Sequence, residues 1–598
     1  MDLVCAIQLY INKMIEDAGP GIKTLLMDKE TISFLSLVFA HSEMLKKEIY
    51  LFEAIENYYF SEESLKFVKC IVFVRPTEKN ITCLMRELKH PRFGQYFLNF
   101  SNIISKTDIK ALAQVDEFEV VKDVQEFYAD YAAINPHTFS LNVKSCYQNH
   151  HWNSVAFQRI NQGLISVCLS LTRCPLIRYQ SNSILAKRLA EQIRQNIAKE
   201  NDLFDMENSN ESQSILLILD RKLDPITPLL IKWTYQAMLH ELLTITNNRI
   251  SLAHIPGISK ELQEIVVCQR QDEFYNANLY LNYGEICSNM KNLMEDFQQK
   301  SQQQKRIETI ADMKSFIETY PQFKKMSGTV AKHVTLIDEI SREVNKNSLL
   351  EISETEQELI ANNDHSNSFK RISQLIQSEK IRNSDAIRLA LLYAITFQNH
   401  ANCNISSVIR MLERRNIDPN EVKIINQLLD FCGLKRNRTP NQTTDILTTE
   451  NVKAFTKKVI KGFKGVENIY TQHKPMIKEI IEDMVRGRLK ETQFPFLGTV
   501  QQRERPNEII IFMIGGITYE ESLTVYNLNQ QLNGIKIIIG GSMIHNSKTF
   551  LDEVRIASQS VSESIEIDKQ TDKFSQQEID SVRAGFFFFF FFFSRCSK

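Results

Sequence analysis

LDRKLDPITPLLIKWTYQAMLHELL, residues 219–243, places Asp220, Arg221 and Asp224 directly after the apolar run Ile215 to Leu219. Carboxylates and a guanidinium at the end of a strand are where many α/β enzymes keep catalytic groups. The same residues also suit a tight turn, with Asp220 and Asp224 capping backbone N–H groups and Arg221 pairing with either carboxylate. Thr227 followed by Pro228 reads as a helix start, Thr as N-cap and Pro at the first helical position. Leu230, Trp233, Thr234, Ala237, Met238 and Glu241 then share one face at helical spacing. The stretch therefore predicts a strand, a turn and a helix packing back. Catalysis needs a nucleophile, a second acid or base, or a metal-ligand set, and none lies nearby. The turn is the favoured reading; a phosphate-ester hydrolase or nucleotide-binding α/β enzyme is the rival.

Outward from that strand, EIIIFMIGG (508–516) and IKIIIGG (535–541) have the same unbroken apolar character and flank a plausible crossover helix, YEESLTVYNLNQQ. Such runs are typical of parallel strands buried on both faces. The simplest arrangement is one α/β domain interrupted by a long insertion, roughly 245–475. That insertion is mainly helical by periodicity, as in LYLNYGEICSNMKNLMEDFQQKSQQQK and DAIRLALLYAITF. QQKSQQQKR (298–306) reads as a solvated surface or mobile connection, and NRTPNQTTD (437–445) as a loop.

The first third alternates strands TLLMDKE (24–30), FVKCIVFVRPT (67–77) and QYFLNFSN (95–102) with helix-period segments. LSLVFAHSEMLKKEIYLFEAI, TEKNITCLMREL and VDEFEVVKDVQEFY are read as helical. Strand–helix alternation implies a second parallel sheet. The expected fold class is therefore α/β and multi-domain, with two parallel-sheet domains and a large, mainly helical insertion domain.

Composition narrows the function. A chain of 598 residues, 43% hydrophobic and 24% charged with net charge −1, is an ordinary globular protein with no dominant electrostatic footprint for nucleic acid. Eleven cysteines form no CxxC pair and no zinc-site spacing, as in a reducing compartment. The N-terminus lacks the basic region and apolar core of a signal peptide, and no membrane span is expected. Phe586–Phe593 is too short to cross a bilayer as a helix. It reads as a disordered or misread homopolymer, with a weak hydrophobic membrane anchor as the alternative. Gly515–Gly516 and Gly540–Gly541 could admit a phosphate, but neither completes a phosphate-binding motif, so tight turns are favoured. His150 and His151 are adjacent and point apart. His545, Ser547 and Lys548 are neighbours without forming a triad. No metal, cofactor or catalytic residue is expected, which favours a binding protein over an enzyme.

LLILDRKLDPITPLLIKWTYQAMLHELL, followed by IPGISKELQEIVVCQRQDEFYNANLYLNYGEI, resembles the Sec/Munc (SM) family of regulators of vesicle-fusion SNARE proteins. LLMDKET, YPQFKKMSGTVAKHVTL, GVENIYTQHKP, GRLKE, IGGITYEESLTVYNLN and GGSMIHNSK resemble its endosomal and trans-Golgi branch. The resemblance runs from about residue 20 to about 555 and implies a three-domain arch. Domain 1 would be 1–132, domain 2 would join 133–245 to 476–565, and domain 3 would be 246–475, with 566–598 as a tail.

The family resemblance implies a cytoplasmic protein, peripherally associated with Golgi and endosomal membranes through its partners. Its role would be vesicle docking and fusion in endosomal, trans-Golgi and vacuolar or lysosomal transport. Expected partners are a syntaxin-class SNARE, the assembled SNARE complex, and a tether or Rab effector. Three sites carry over. A SNARE-template hairpin would have hinge Pro321, bending or interrupting its helix, and Met326, Val330, His333, Val334 and Leu336 facing the SNARE. A syntaxin cleft would use Asp28 and Glu53, with Ser33 where relatives carry an arginine. A syntaxin N-peptide pocket would be lined by Phe100, Val121 and Val124, between QYFLNFSN and the following helix.

Overall fold

The computed structural model describes residues 1–57, 65–204, 214–304, 310–361, 364–434, 470, 472–498 and 505–559. The 437–445 loop and the polyphenylalanine run lie outside these residues.

The first sheet contains β1 (Lys23–Met27), β2 (Ile49–Ala54), β3 (Leu65–Val74), β4 (Phe93–Phe100) and β5 (Val121–Glu126). Its order is β2-β1-β3-β4-β5, and every neighbouring pair is parallel. Both faces are covered, which is why Leu25–Met27 and Cys70–Val74 are apolar at successive positions. Leu25, Met27, Ile71 and Phe73 enter the core with helices Leu3–Asp17 and Lys29–Val38. Leu26, Cys70, Val72 and Val74 turn the other way, against helices Glu78–Lys89 and Lys106–Val115.

The two edge strands correct the sequence reading. KEIYLFEAI contains β2 rather than helix, and VDEFEVVKDVQEFY contains β5, the helix having already ended at Val115. Edge strands lack the continuous apolar run of the central strands. In β5, exposed Lys122 and Val124 alternate with half-buried Val121 and Asp123. Pairing with β1 and β4, not local periodicity, fixes these segments as strands.

The second sheet has the order Leu176–Tyr179, Ser214–Asp220, Glu508–Ile514, Lys536–Gly541, Thr138–Ser140, Ala132–Asn135. All pairs are parallel except the last. Strand Ser214–Asp220 pairs with Glu508–Ile514 residue for residue, from Ser214 with Glu508 to Asp220 with Ile514. This is the sheet completed across an insertion that the sequence predicts. The intervening chain includes the hairpin helices Tyr283–Gln304 and Ile310–Lys346, then Leu349–Ala361 and Asn383–Phe397.

The helix expected from Thr227 starts later. Thr227–Leu229 forms a single 3-10 turn, Leu230 returns to extended backbone, and the α-helix runs from Tyr235 to Leu243 with Thr234 at its N-cap position. The Thr227 hydroxyl contacts Asp224 and His473 rather than a first helical turn. Among the described residues no helix is long and apolar enough to cross a membrane.

The Gly-Gly pairs serve packing. Gly515 and Gly516 have φ of +80° and +87°, and a Cβ on Gly516 would strike the His545 ring. A Cβ on Gly540 would strike the Phe139 ring. These backbones are closed by side chains where a phosphate would have to sit. Gly516→Ala combines an unfavourable φ with this collision, so it should destabilise the protein by about 1–3 kcal/mol or more in chemical denaturation.

Candidate functional site

The strand-end cluster is buried and internally paired. Asp220 accepts from Tyr147 Oη at 2.8 Å, Ser183 Oγ at 2.7 Å and the Lys222 N–H at 3.1 Å. Arg221 donates through both terminal nitrogens to Glu521, at 2.8 and 2.9 Å, with its guanidinium 0% exposed. Asp224 accepts from the Thr227 N–H and hydroxyl and from the Met476 N–H. Burial works against the Arg221 charge, but Glu521 and Asp224 outweigh it and hold its pKa above the ordinary value. Burial likewise opposes the Asp224 charge; Arg221 and the Thr227 hydrogen bonds prevail and lower its pKa. These carboxylates are structural turn and pairing groups, as the favoured sequence reading holds.

The other isolated signals resolve in the same way. His545 Nε2 contacts the Gly515 carbonyl oxygen at 2.6 Å, while Ser547 donates its N–H and Oγ to Glu241, and Lys548 is exposed. His150, in a left-handed conformation, contacts Asp430, and His151 is exposed on a two-residue strand. No metal-ligand cluster occurs among the described residues.

The hairpin pairs the two longest helices among the described residues. Its second helix runs unbroken from Ile310 to Lys346 and passes through Pro321. At about 1.5 Å per residue, its 37 residues span about 55 Å. The expected interruption at Pro321 is absent: the helix continues through it, at the roughly 3 kcal/mol that a proline inside a helix costs. Phe323 stacks on Phe297 of the first helix at 5.2 Å, and Met326 lies beside Lys300. Val330 and Val334 are half-buried.

His333 and Leu336 do not face outward. Both are 0% exposed. His333 Nδ1 meets Tyr235 Oη at 2.8 Å, and Nε2 meets Asp272 at 2.9 Å. Burial lowers the His333 pKa, and a neutral ring accepting from Tyr235 and donating to Asp272 satisfies both contacts. Burial works against the Asp272 charge, but His333 and Lys332 outweigh it and hold its pKa well below the usual carboxylate range. At 3.6 residues per turn His333, seven residues on, shares a face with Met326; it is buried because it lies further along the helix, where Tyr235 and Asp272 close over it.

The first sheet also alters the carried-over residues. Asp28 is the N-cap of helix Lys29–Val38, is 3% exposed, and accepts from the N–H groups of Glu30, Thr31 and Arg75 and from Asn80. That leaves it as a cap rather than a charge for a partner; burial pushes its pKa up to about 6. Glu53 pairs with Arg92 at 2.8 Å. Ser33 is buried on the same helix as Thr31. Phe100 is wholly enclosed in the core, Val121 packs against that core, and Val124 is exposed, so the three do not line one slot.

Two features escape sequence reading. Arg270 reaches from the insertion to helix Lys29–Val38, donating to the Val38 carbonyl at 2.8 Å and to Glu43 at 3.1 Å. Nothing local in QRQDE announces that contact. Glu521 does leave a signal: Thr518 and Glu521 form a capping box, a pattern legible as T-Y-E-E.

Two covered parallel sheets, one closed across a helical insertion that carries a long hairpin, define the architecture of an SM protein. The chain belongs to the Sec1 family, whose profile matches residues 23–553. Vacuolar protein sorting-associated protein 45 of Mus musculus is 50% identical, over 93% of this chain and 96% of its own length. The Dictyostelium discoideum protein of that name is 43% identical over the same shares. A solved structure of the SM protein Vps45 in complex with the Qa SNARE Tlg2 has a TM-score of 0.85 and 40% identity, covering 93% of this chain and 98% of that one. The Unc18–syntaxin 1 complex of Monosiga brevicollis, 19% identical with a TM-score of 0.75, shares the fold.

Arg221→Met should cost about 3–5 kcal/mol, because it strands Glu521 in the interior, whereas Arg221→Met with Glu521→Leu should recover most of that loss in the same unfolding assay. The buried His545 predicts a pH effect. Burial lowers its pKa to about 3. The unfolded state, near 6.5, therefore takes up the proton first. Its stabilising contribution is full above about pH 6.5 and declines as the pH falls towards 3. Unfolding curves of His545→Gln should show a shallower acid-side loss than the parent.

Proposed function

We propose that this chain binds a syntaxin-class SNARE and promotes SNARE-complex assembly at endosomal and trans-Golgi membranes. The likeness to Vps45 bound to a Qa SNARE, across nearly the whole of both chains, carries this reading. The internal pairing of Asp220, Arg221 and Asp224 supports binding rather than catalysis. Under this proposal the protein is no enzyme, works in the cytoplasm and reaches membranes through its partners.

The proposed arrangement keeps 1–132 as domain 1, 133–245 with 476–565 as domain 2, and 246–475 as the hairpin-bearing domain 3. SNARE helices would lie along the distal hairpin, with Met326, Val330 and Val334 offered at i, i+4 and i+8 spacing. His333 and Leu336 would hold the base of that platform and touch no partner. Glu53 on β2 marks the sheet edge where cleft contacts are sought, and Val124 on β5 marks the opposite edge for an N-peptide contact. A compact and an extended hairpin would be two states, with SNARE helices favouring the extended one through differential affinity.

A purified syntaxin-class cytosolic segment should be retained by the full chain, and failure to bind any such segment would reject the function. Val330→Ala should slow SNARE assembly several-fold, with only a modest loss of thermal stability because Val330 packs partly against the core. Pro321→Ala restores an N–H to the long helix and should speed assembly; unchanged kinetics would remove the two-state hairpin from the mechanism.

A further inference from the structure

We propose that Glu553 is a proton-operated latch on the last described helix, Ser547–Ala557: a neutral carboxyl seats the helix on the second α/β unit, and ionisation loosens it. This goes beyond SNARE binding and does not depend on it.

Glu553 is 2% exposed. One of its oxygens accepts from the Cys146 N–H at 2.7 Å, and the other, also buried, has no hydrogen-bond partner among the described residues. No lysine, arginine or histidine among the described residues pairs with it. Other buried carboxylates of this fold do have a cation: Glu521 has Arg221, Glu356 has Arg388 and Asp272 has Lys332. Burying a carboxylate without a counter-ion is so costly that the group takes up a proton instead. Burial pushes the Glu553 pKa up to about 8, against the opposing pull of the Cys146 and Tyr147 N–H groups.

The described neighbours are engaged elsewhere. Burial raises the pKa of Cys146 and of Tyr147 on the facing segment, so both stay neutral. The Tyr147 hydroxyl is committed to Asp220, and Lys222 lies over the Tyr147 and Phe431 rings at 5.2 and 5.1 Å. On the neighbouring helix Ile424–Phe431, Asp430 contacts His150 at 3.4 Å. The turn Thr227–Leu229, packed against the same helix, has no charged side chain. His545, beside Phe550, contacts the Gly515 carbonyl oxygen and the Thr549 hydroxyl. On the helix itself Asp552 and Arg555 pair with each other at 2.7 Å, and Lys548 is exposed.

The helix acts as a splint between the second sheet and the insertion. At its start Ser547 donates its N–H, at 3.0 Å, and its hydroxyl to Glu241, whose carboxylate also holds Arg388 of the insertion at 3.2 Å. Further along, Phe550 meets Phe431, the last residue of an insertion helix, edge to face at 6.4 Å. At its end the Ala557 carbonyl accepts from the His150 N–H at 3.0 Å. Glu553 lies between these last two fastenings. Loss of its proton puts a bare negative charge in a buried seat, and the splint loosens along with the insertion's hold on the second sheet.

Chemical unfolding of the full chain and of Glu553→Gln across about pH 6 to 9 tests the first half of the proposal. The unfolded carboxyl ionises near 4.5, so the neutral form's contribution is full below that pH and is lost as the pH rises through about 8. The folded-to-unfolded ratio of the parent, taken relative to the variant, should therefore fall by up to about ten-fold per pH unit and level off above pH 8. Glutamine keeps an acceptor for the Cys146 N–H and cannot ionise. A relative ratio that stays flat with pH overturns the proposal. Hydrogen exchange of the parent alone tests the loosening and needs no variant. Protection of the Cys146 amide and of residues 550–557, corrected for base catalysis, should drop above about pH 8 while strand Glu508–Ile514 stays protected. Protection of the helix that holds unchanged to about pH 9, or that falls only together with the strand, overturns the latch.

Discussion

Arg221 and Glu521 meet through two parallel N–H···O contacts in a place water does not reach. A buried ion pair is weak evidence of net stability, since desolvation cancels much of the attraction. Its consequence here is geometric. Arg221 follows the strand that ends before the insertion, and Glu521 lies on the helix that follows its neighbouring strand after it. Glu521 also accepts from the Thr518 N–H, so one carboxylate fixes both the helix start and the seam. Asp224 extends the seam by accepting from the Met476 N–H, where chain returns from the insertion. The turn residues that looked catalytic thus act as the fastening between two separated halves of one domain.

The hairpin depends on that fastening at one remove. Tyr235 opens the helix that follows the turn, and its hydroxyl meets His333 at the base of the long hairpin helix. Asp272 holds the other ring nitrogen and caps a short helix of its own. A projecting helix can present side chains reproducibly only if its root is fixed. The buried residues of 333–346 supply that root, while half-buried Met326 and Val330 lie beyond it.

Much of this was legible beforehand, and the losses have identifiable causes. Fully buried strands announce themselves because both faces demand apolar residues, hence the correct placement of ILLILD, EIIIFMI and IKIII and of the split sheet. β2 and β5 were misread because an edge strand meets solvent on one side and has no such signature. Thr227 carried a valid N-cap pattern, but Asp224 and His473 captured its hydroxyl. Asp28 reads as a charge for a partner because the four donors converging on its carboxylate cannot be counted from a linear sequence. His333 shares a face with Met326, but periodicity does not say how far along that face the core extends, and Tyr235 and Asp272 enclose it.

The residue-for-residue pairing of Ser214–Asp220 with Glu508–Ile514 also has a consequence in time. A ribosome adding about 5–20 residues per second needs roughly 15–60 s to make the chain between these strands. Throughout that interval the earlier strand, apolar along its length, has an open edge and no permanent neighbour on that side. An edge of this kind is a template for pairing with other chains. The nascent protein therefore passes through a long window with that edge unpaired, a hazard set by where the insertion sits.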